Sequence, residues 1–314
     1  MKSLARDRRR LGWLTLFLLV LPVFLRNPYY LTVANLTALN VLTVAGLVLL
    51  IGYAGEISLG HAGFWAVGAY GSALLSLRLG FPPVLATLVV LAAGTLLAAL
   101  LGRVILRLRG NYLVMATLAF NLMIYYFLVE AEDLTGGPPG LPGIPPYRLG
   151  PYTLSGDLPF YYLLWGVSLG VLYLFFNLVH SGEGRALRAL SEEPAAACLG
   201  ISPLRYKTLA FAMSAACALL AGALYAHYLS FISPKTFDIF FSVQLVTMCL
   251  FGGKASLWGA LFGAGVLTPL PHLLEFLEDY RDLFYGGLLM AVLVFFPEGL
   301  SGLWGRSRGG HARD

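Results

Sequence analysis

The sequence predicts an all-α, polytopic membrane protein: a bundle of about ten transmembrane helices in a single transmembrane domain over residues 1–314. Three observations support this prediction. Hydrophobic residues make up 58% of the chain and charged residues 12%, which is too little polar surface to cover a soluble globule. Apolar runs of spanning length recur along the whole chain. Basic residues fall mainly on one side of the resulting topology.

The candidate spans are apolar runs of spanning or near-spanning length. They lie at about 11–25, 31–52, 61–77, 83–106, 111–129, 159–179, 208–232, 241–252, 255–273 and 283–297. The run 61–77 is rich in Gly, and 241–252 is too short to cross a bilayer unaided. Either one can therefore be a broken or re-entrant helix buried among its neighbours, so eight full spans plus such elements is the alternative.

The distribution of basic residues orients the bundle. With an even number of spans, both termini lie on one side, and the positive-inside rule makes that side cytoplasmic. Of the 21 Lys and Arg residues, only five then fall outside: Arg26, Arg78, Arg148, Lys235 and Arg281. The net charge of +5 is thus explained by topology and gives no reason to expect a nucleic-acid partner.

Enzyme and metal motifs are weak. The three cysteines are widely spaced and the five histidines are scattered, so neither a disulfide framework nor a metal site is predicted. The string Gly166 to Gly170 fits G-x-S-x-G but lies inside an apolar span. Gly252 to Ala255 resembles the end of a phosphate loop, but Met248 stands where its first glycine belongs. We therefore expect a chain that is not an enzyme and has no cofactor of its own.

A charged loop at 180–207 interrupts the apolar pattern on the predicted cytoplasmic side. It is expected to contain a short helix of about eight residues that Ser191 caps and Gly200 ends, with small side chains that let another surface approach. An ordinary solvated loop is the alternative. The residues expected to contact a partner are Arg188, Ser191, Glu192, Glu193, Pro194, Ala195, Ala196, Gly200 and Arg205.

Two polar interruptions, at 52–64 and 250–262, form a weak internal repeat in which Glu56 aligns with Lys254. Paired interruptions of this kind indicate a transport pathway, because freed backbone groups can line a polar cavity. We expect Glu56 and Lys254 to meet at an inner gate; the alternative is two tight turns with solvated charges. The candidate pathway residues are Gly55, Glu56, Ser58, His61, Gly253, Lys254 and Ser256.

The longest predicted outer loop spans 130–158. Its Pro and Gly content favours turns and extended pieces over a helix. A flexible linker is one interpretation, and a surface that meets a delivery protein or closes the outer mouth is the other. The residues singled out are Gly136, Gly137, Gly140, Gly143 and Pro145.

Four ordered motifs carry a resemblance to a known family. They are G-R-A-L-R-A-L-S-E-E-P-A-A-A-C-L-G-I-S-P-L-R-Y-K in the charged loop, S-L-G-H-A-G-F at 58–64, G-G-K-A-S-L-W-G at 252–259 and T-G-G-P-P-G-L-P-G-I-P at 135–145. Together they resemble the LivM-type permease subunits of branched-chain amino acid ABC transporters, from about residue 45 to 300. Lys254 and Ala255 depart from that pattern, since small residues are commoner there.

The resemblance implies a multi-pass inner-membrane subunit of an ABC importer that moves leucine, isoleucine or valine inward. It implies that two partner ATPase subunits bind ATP and dock on the charged loop. A second, LivH-like permease subunit, an extracytoplasmic amino-acid-binding protein and the lipid bilayer complete the expected partners. A urea or short-amide ABC permease is the nearest alternative, and an ion-coupled secondary transporter that uses Glu56 and His61 is a more distant one.

Overall fold

The structure of the chain is a computed structural model that describes residues 2–24, 27–149, 152–253, 256–273, 286–287 and 290. Helices dominate this part of the chain. They are α1 (Lys2–Phe24), α2 (Pro28–Leu47), α3 (His61–Arg78), α4 (Pro83–Ile105), α5 (Asn111–Glu130), α6 (Glu132–Thr135), α7 (Asp157–His180), α8 (Gly182–Ala189), α9 (Glu193–Cys198), α10 (Pro203–Leu229), α11 (Ile239–Gly252), α12 (Leu257–Leu267) and α13 (Leu270–Leu273).

Short pieces of other structure connect the helices. A π-helical turn, Val48–Tyr53, extends α2, and 3-10 turns cover Leu190–Glu192 and Pro234–Phe237. The strands are two residues long and form two antiparallel pairs. They are β1 (Leu141–Pro142), which pairs with β4 (Phe231–Ile232), and β2 (Arg148–Leu149), which pairs with β3 (Tyr152–Thr153).

The structure confirms the all-α bundle. Within its described part, five helices are long and apolar enough to cross a membrane: Pro28–Tyr53, α4, α5, α7 and α10. Each coincides with a predicted run. The weak run 241–252 corresponds to α11, which has 14 residues where a full crossing needs about 20. The run 283–297 lies outside the described residues, so the number of spans and the side of the termini stay predictions.

Polar contacts join the helices at each end of the bundle. We call the end that carries Arg8, Arg188 and Lys207 the basic end; there the start of α1 meets the end of α7 and the start of α12, and the first turn of α10 meets the segment after Tyr53. The pairs that join this end are Arg8 with Asn177, Asp7 with Trp258, and Lys207 with Glu56. At the opposite end, Asp157 joins α7 to α2 and α10, because its carboxylate accepts hydrogen bonds from Thr32 and Tyr228.

The helices α2 and α10 form the centre of the bundle, and α4 and α5 lie at its rim. The most apolar stretch of Pro28–Tyr53 is 89% buried, and that of α10 is 72% buried. The corresponding stretches of α4 and α5 are each only 28% buried. Lipid chains are as apolar as leucine, so helices in a bilayer associate mainly through close packing and hydrogen bonds. The rim helices therefore leave apolar surface for lipid or for another subunit.

Glycines allow α10 to lie in backbone contact with α3. A Cβ added to Gly68 would lie 2.1 Å from the carbonyl oxygen of Leu219, and one added to Gly222 would lie 2.0 Å from that of Trp65. Real Cβ atoms do not approach so closely, so only glycine fits at both positions. In contrast, Gly166 on α7 has no described atom within 4 Å of such a Cβ.

We predict that Gly222→Ala destabilises the protein, because its methyl group would force α3 and α10 apart. Overpacking of this kind costs about 1–3 kcal/mol. The measurement is the melting temperature of the purified full chain in detergent. Gly166→Ala is the matched control and should leave that temperature unchanged or slightly raised, since alanine favours helix more than glycine does. Equal melting temperatures for the two variants would contradict the contact.

Candidate functional site

The first polar interruption begins with a change in helix type. After the π-helical turn Val48–Tyr53, the chain leaves helical structure, and Gly55 adopts a left-handed conformation with φ of 76°. Helical structure resumes only at His61. Single π-turns occur often at functional sites, and Gly55 supplies the backbone conformation that other residues rarely adopt.

The first turn of α3 lies inside the bundle and not at its surface. The backbone N–H of Leu59 donates to Thr117 Oγ1 of α5 at 3.1 Å, and that of Ala62 donates to Ser242 Oγ of α11 at 3.0 Å. His61 Nε2 hydrogen-bonds Ser214 Oγ of α10 at 2.7 Å. Ser214 lies about 16 Å along α10 from its first residue, at 1.5 Å per residue. The predicted pathway residues Ser58 and His61 are therefore at membrane depth, both 1% exposed.

Glu56 forms a buried ion pair with Lys207 in the first turn of α10. Lys207 Nζ donates to Glu56 Oε1, and the side chains are 7% and 13% exposed for Lys207 and Glu56 respectively. The expected Glu56 partner was Lys254, which lies outside the described residues. Lys207 is not among the residues predicted from the sequence to line the pathway. Its position next to the apolar body of α10 was the available signal that its side chain is buried.

The charged loop differs from the prediction at its start. It contains two short helices, and the first, α8, is capped by Ser181, whose Oγ accepts from the Gly184 N–H. Ser191 does not cap a helix. It lies inside the 3-10 turn Leu190–Glu192, and α9 begins at Glu193 and has six residues. The chain runs from α8 into α9 through this turn, whose carbonyls can satisfy the N–H groups that a cap would otherwise serve.

The end of α9 agrees with the prediction. Gly200 has φ of 79° and donates its N–H to the Ala197 carbonyl, which stops the helix. Leu199 just before it is 79% exposed, while Ala196, three residues earlier, is 2% exposed. The loop thus presents an apolar tip at the basic end. Of the other predicted contact residues, Glu192, Pro194 and Arg205 are exposed.

Arg188 contacts the first interruption as well as solvent. Its guanidinium carbon lies 5.5 Å from the centre of the Tyr53 ring, in the last π-helical position. A cavity of about 780 Å³ lies beside this contact at the basic end. Its lining comes from the interruption, the turn between α4 and α5, and the charged loop, and includes Gly55, Glu56, Ile57, Arg109, Pro194 and Lys207.

The second interruption lies at the same end of the bundle. Gly253 has φ of 106°, which parallels the left-handed Gly55 at the aligned position of the repeat. Gly252 and Gly259 pack backbone to backbone, since a Cβ added to Gly252 would lie 1.9 Å from the Gly259 carbonyl oxygen. Ser256 precedes α12 but makes no side-chain cap to it. The two interruptions therefore share a glycine with positive φ at the aligned position, and their polar residues do not meet within the described residues.

The outer loop is folded against the bundle. A Cβ added to Gly140 would lie 2.3 Å from the Ile232 carbonyl oxygen, where β1 pairs with β4. The Pro145 carbonyl accepts from His227 Nδ1 at 2.7 Å, which requires the tautomer protonated there. Gly136, Gly137, Gly140 and Gly143 all have positive φ. These contacts contradict a flexible linker between Thr135 and Tyr147.

Tyr147 anchors this loop to the rim. Its hydroxyl hydrogen-bonds Thr87 Oγ1 of α4 at 2.7 Å, and its ring packs on His227 with centroids 4.8 Å apart. Burial raises the pKa of the Tyr147 phenol well above its ordinary value, although the Thr87 hydrogen bond opposes this shift. The phenol therefore stays neutral and available as a hydrogen-bonding group at the opposite end of the bundle.

Comparison of the sequence with known proteins shows which family and which relatives the chain is similar to. Residues 29–293 match the family described as branched-chain amino acid transport system / permease component. The chain is 35% identical over 297 residues to the high-affinity branched-chain amino acid transport system permease protein LivM of Salmonella typhimurium, covering 85% of this chain and 69% of that protein. The LivM protein of Escherichia coli strain K12 gives the same identity and coverage.

A more distant relative has a different cargo in its name. The ribose import permease protein RbsC of Haemophilus influenzae is 25% identical over 300 residues, covering 90% of this chain and 91% of RbsC. No solved structure matches the chain.

We predict that the Glu56–Lys207 pair can be reversed but not broken. Each charge reversal would place two like charges together, and breaking a buried ion pair costs about 3–5 kcal/mol. Glu56→Lys and Lys207→Glu should each lower the melting temperature of the purified chain, and the double variant should recover most of the loss. Glu183→Gln, at an exposed acid of the same end, is the control and should change nothing. A double variant no more stable than either single one would refute the pairing.

Proposed function

Because the chain belongs to the family of branched-chain amino acid transport system permease components, we propose that it is the membrane-spanning subunit of an ABC importer that moves leucine, isoleucine or valine inward. Family membership and the apolar helices make it a multi-pass inner-membrane transport protein. Two relatives that are 35% identical are named for branched-chain amino acid transport, which supports the substrate.

The position of α9 is the observation that supports ATP hydrolysis by partner subunits as the energy source. An importer without its own nucleotide site needs partner ATPases, which bind ATP in the cytoplasm. The tip of α9 lies at the basic end, which the positive-inside rule assigns to the cytoplasm. Leu199, which directly follows α9, is 79% exposed there, and an exposed large apolar side chain can serve as an anchor in a partner's pocket. We assign two ABC ATPase subunits to the complex, one for each permease subunit.

Motion of α9 has a direct route to the interruption. Gly200 is followed within a few residues by the first turn of α10, where Lys207 holds Glu56. A partner that pulls on the α9 tip therefore pulls on the same turn that anchors the start of the non-helical segment. In this mechanism the ion pair transmits the ATPase movement to Ser58 and His61, which lie at membrane depth and line the pathway.

The remaining partners occupy the rim and the opposite end. The low burial of α4 and α5, 28% each, suits coverage by a second, LivH-like permease subunit. The folded outer loop, held by Gly140 and Tyr147, forms a defined surface for an extracytoplasmic amino-acid-binding protein. A rigid surface favours docking because less conformational entropy is lost on binding.

A neutral polar cargo is the second candidate, and the similarity to a ribose import permease favours it. Urea and short amides are also neutral polar molecules, so they fall in this second class of candidate substrates. The test is ATP-dependent uptake by proteoliposomes that contain this chain with the permease, ATPases and binding protein encoded beside it. We expect uptake of labelled leucine, and none of ribose or urea. Uptake driven by an ion gradient without the ATPases would instead make the chain a secondary transporter.

We predict that Leu199→Glu separates the permease from its ATPases. Placing a charge in an apolar pocket is costly, and loss of a buried anchor costs roughly 2 kcal/mol or more, which weakens binding more than tenfold. The measurement is copurification of the ATPases with the tagged chain. Leu79→Glu is the control, since Leu79 is 64% exposed but lies at the opposite end of the bundle. Retention of the ATPases by Leu199→Glu would rule out α9 as their anchor.

We predict that Gly140→Ala impairs uptake more than Gly143→Ala. Both glycines have positive φ, so alanine pays a similar backbone cost of about 1 kcal/mol at each. Only at Gly140 does the added methyl group also collide with the Ile232 carbonyl. The measurement is binding-protein-dependent uptake per complex. Equal losses in the two variants would show that the β1–β4 contact has no part in docking.

A further inference from the structure

A buried polar cluster surrounds the first turn of α3. Its side chains come from the interruption, α3, α5, α10 and α11, and none is more than 1% exposed. The members of this cluster, which we call the α3 cluster, are Ser58, His61, Thr117, Asn121, Ser214 and Ser242. Polar groups at membrane depth are costly, and those that persist there either hydrogen-bond one helix to another or contact a substrate.

Asn121 is the member of which both polar side-chain atoms are unpaired among the described residues. Its side chain is 0% exposed, and neither Oδ1 nor Nδ2 has a hydrogen-bond partner within the described part of the chain. The amide faces α3, since a Cβ added to Gly63 in the first turn would lie 3.3 Å from Asn121 Oδ1. Buried amides in native proteins are almost always hydrogen-bonded. An unpaired one beside a helix start indicates a group that is paired in another state of the protein.

Ser242 occupies the position at which a helix binds an anion. Its Oγ accepts the Ala62 N–H at 3.0 Å, one of the first-turn donors that have no partner within α3. Helix N-termini attract anions because these donors and the helix dipole both favour negative charge. Ser242 lies in the first turn of α11, a helix of only 14 residues, so a shift of α11 would expose the donor.

We propose that the α3 cluster is the closed form of a contact site for the α-carboxylate of the transported amino acid. In the open form, the carboxylate replaces Ser242 Oγ at the Ala62 N–H and takes a further hydrogen bond from the Asn121 amide. The cluster contains no acidic side chain, so it suits the carboxylate and not the ammonium group. This site rests on the proposed function and specifies where the substrate touches it.

The first test is Asn121→Leu, which keeps the volume of the side chain and removes the two unpaired atoms. A residue with a structural role would lose stability on this change. A substrate contact instead predicts a melting temperature equal to or above that of the wild type. It also predicts leucine uptake per assembled complex lowered at least about tenfold, the effect of one lost charge-assisted hydrogen bond.

Asn40→Leu is the matched control for this variant. Asn40 is also buried, at 7% exposed, but its Nδ2 donates to Thr268 Oγ1 at 2.9 Å in the contact between α2 and α12. We expect the opposite result: a lower melting temperature with unchanged uptake per assembled complex. Uptake within twofold of wild type in Asn121→Leu, or a loss of stability that accounts for the loss of uptake, would overturn the site.

The second test asks whether the ligand is a carboxylate. Ser242→Asp places a tethered carboxylate at the start of α3, and Ser242→Asn places a group of the same shape without charge. The tethered carboxylate should compete with the substrate, so we expect leucine uptake by Ser242→Asp to be at least about tenfold below that of Ser242→Asn. Equal uptake in the two variants would overturn the carboxylate assignment. A site that contacts only a neutral cargo would give this result.

Failure of the proposed function gives a different result. If the wild-type complex takes up ribose or urea and no branched-chain amino acid, the proposed function falls, and the carboxylate site falls with it. If wild-type leucine uptake is normal and the Asn121 and Ser242 variants behave as their controls do, only the site is wrong.

Discussion

The backbone contact between α3 and α10 is the constraint on which the rest of the structure depends. Gly68 and Gly222 bring these helices closer than any side chain would allow. In a bilayer, where burial of apolar surface drives little association, such close packing is a main source of helix attraction. It holds α3 in the interior, so that the polar interruption, which begins with the exposed Gly55 and Ile57, enters the bundle at Ser58 and His61.

That interior position explains why polar residues collect where they do. The start of α3 leaves N–H donors at membrane depth, and Thr117 and Ser242 satisfy two of the backbone N–H groups around it. A helix that began at the membrane surface would have used water. The polar cluster and the break are thus consequences of the same packing, and this cluster is where we propose that the substrate carboxylate binds.

One ion pair at the basic end joins this interior to the charged loop. Lys207 belongs to the turn that follows the charged loop, and Glu56 belongs to the interruption, so the pair connects the two. In the proposed mechanism, this connection is the route by which a movement imposed at α9 reaches the interruption.

The sequence by itself determined the helical class, the places of five helices long enough to cross a membrane, the break before His61 and the stop at Gly200, because these follow from local composition and backbone preference. It did not determine that Ser191 lies within a 3-10 turn, since the helix before it was not recognised. Only the tertiary structure decided that Glu56 pairs with Lys207 and that Asn121 faces the start of α3. Such contacts depend on which helices are neighbours and on their rotation, and the hydrophobic pattern of a membrane helix, apolar on most sides, carries little information about either.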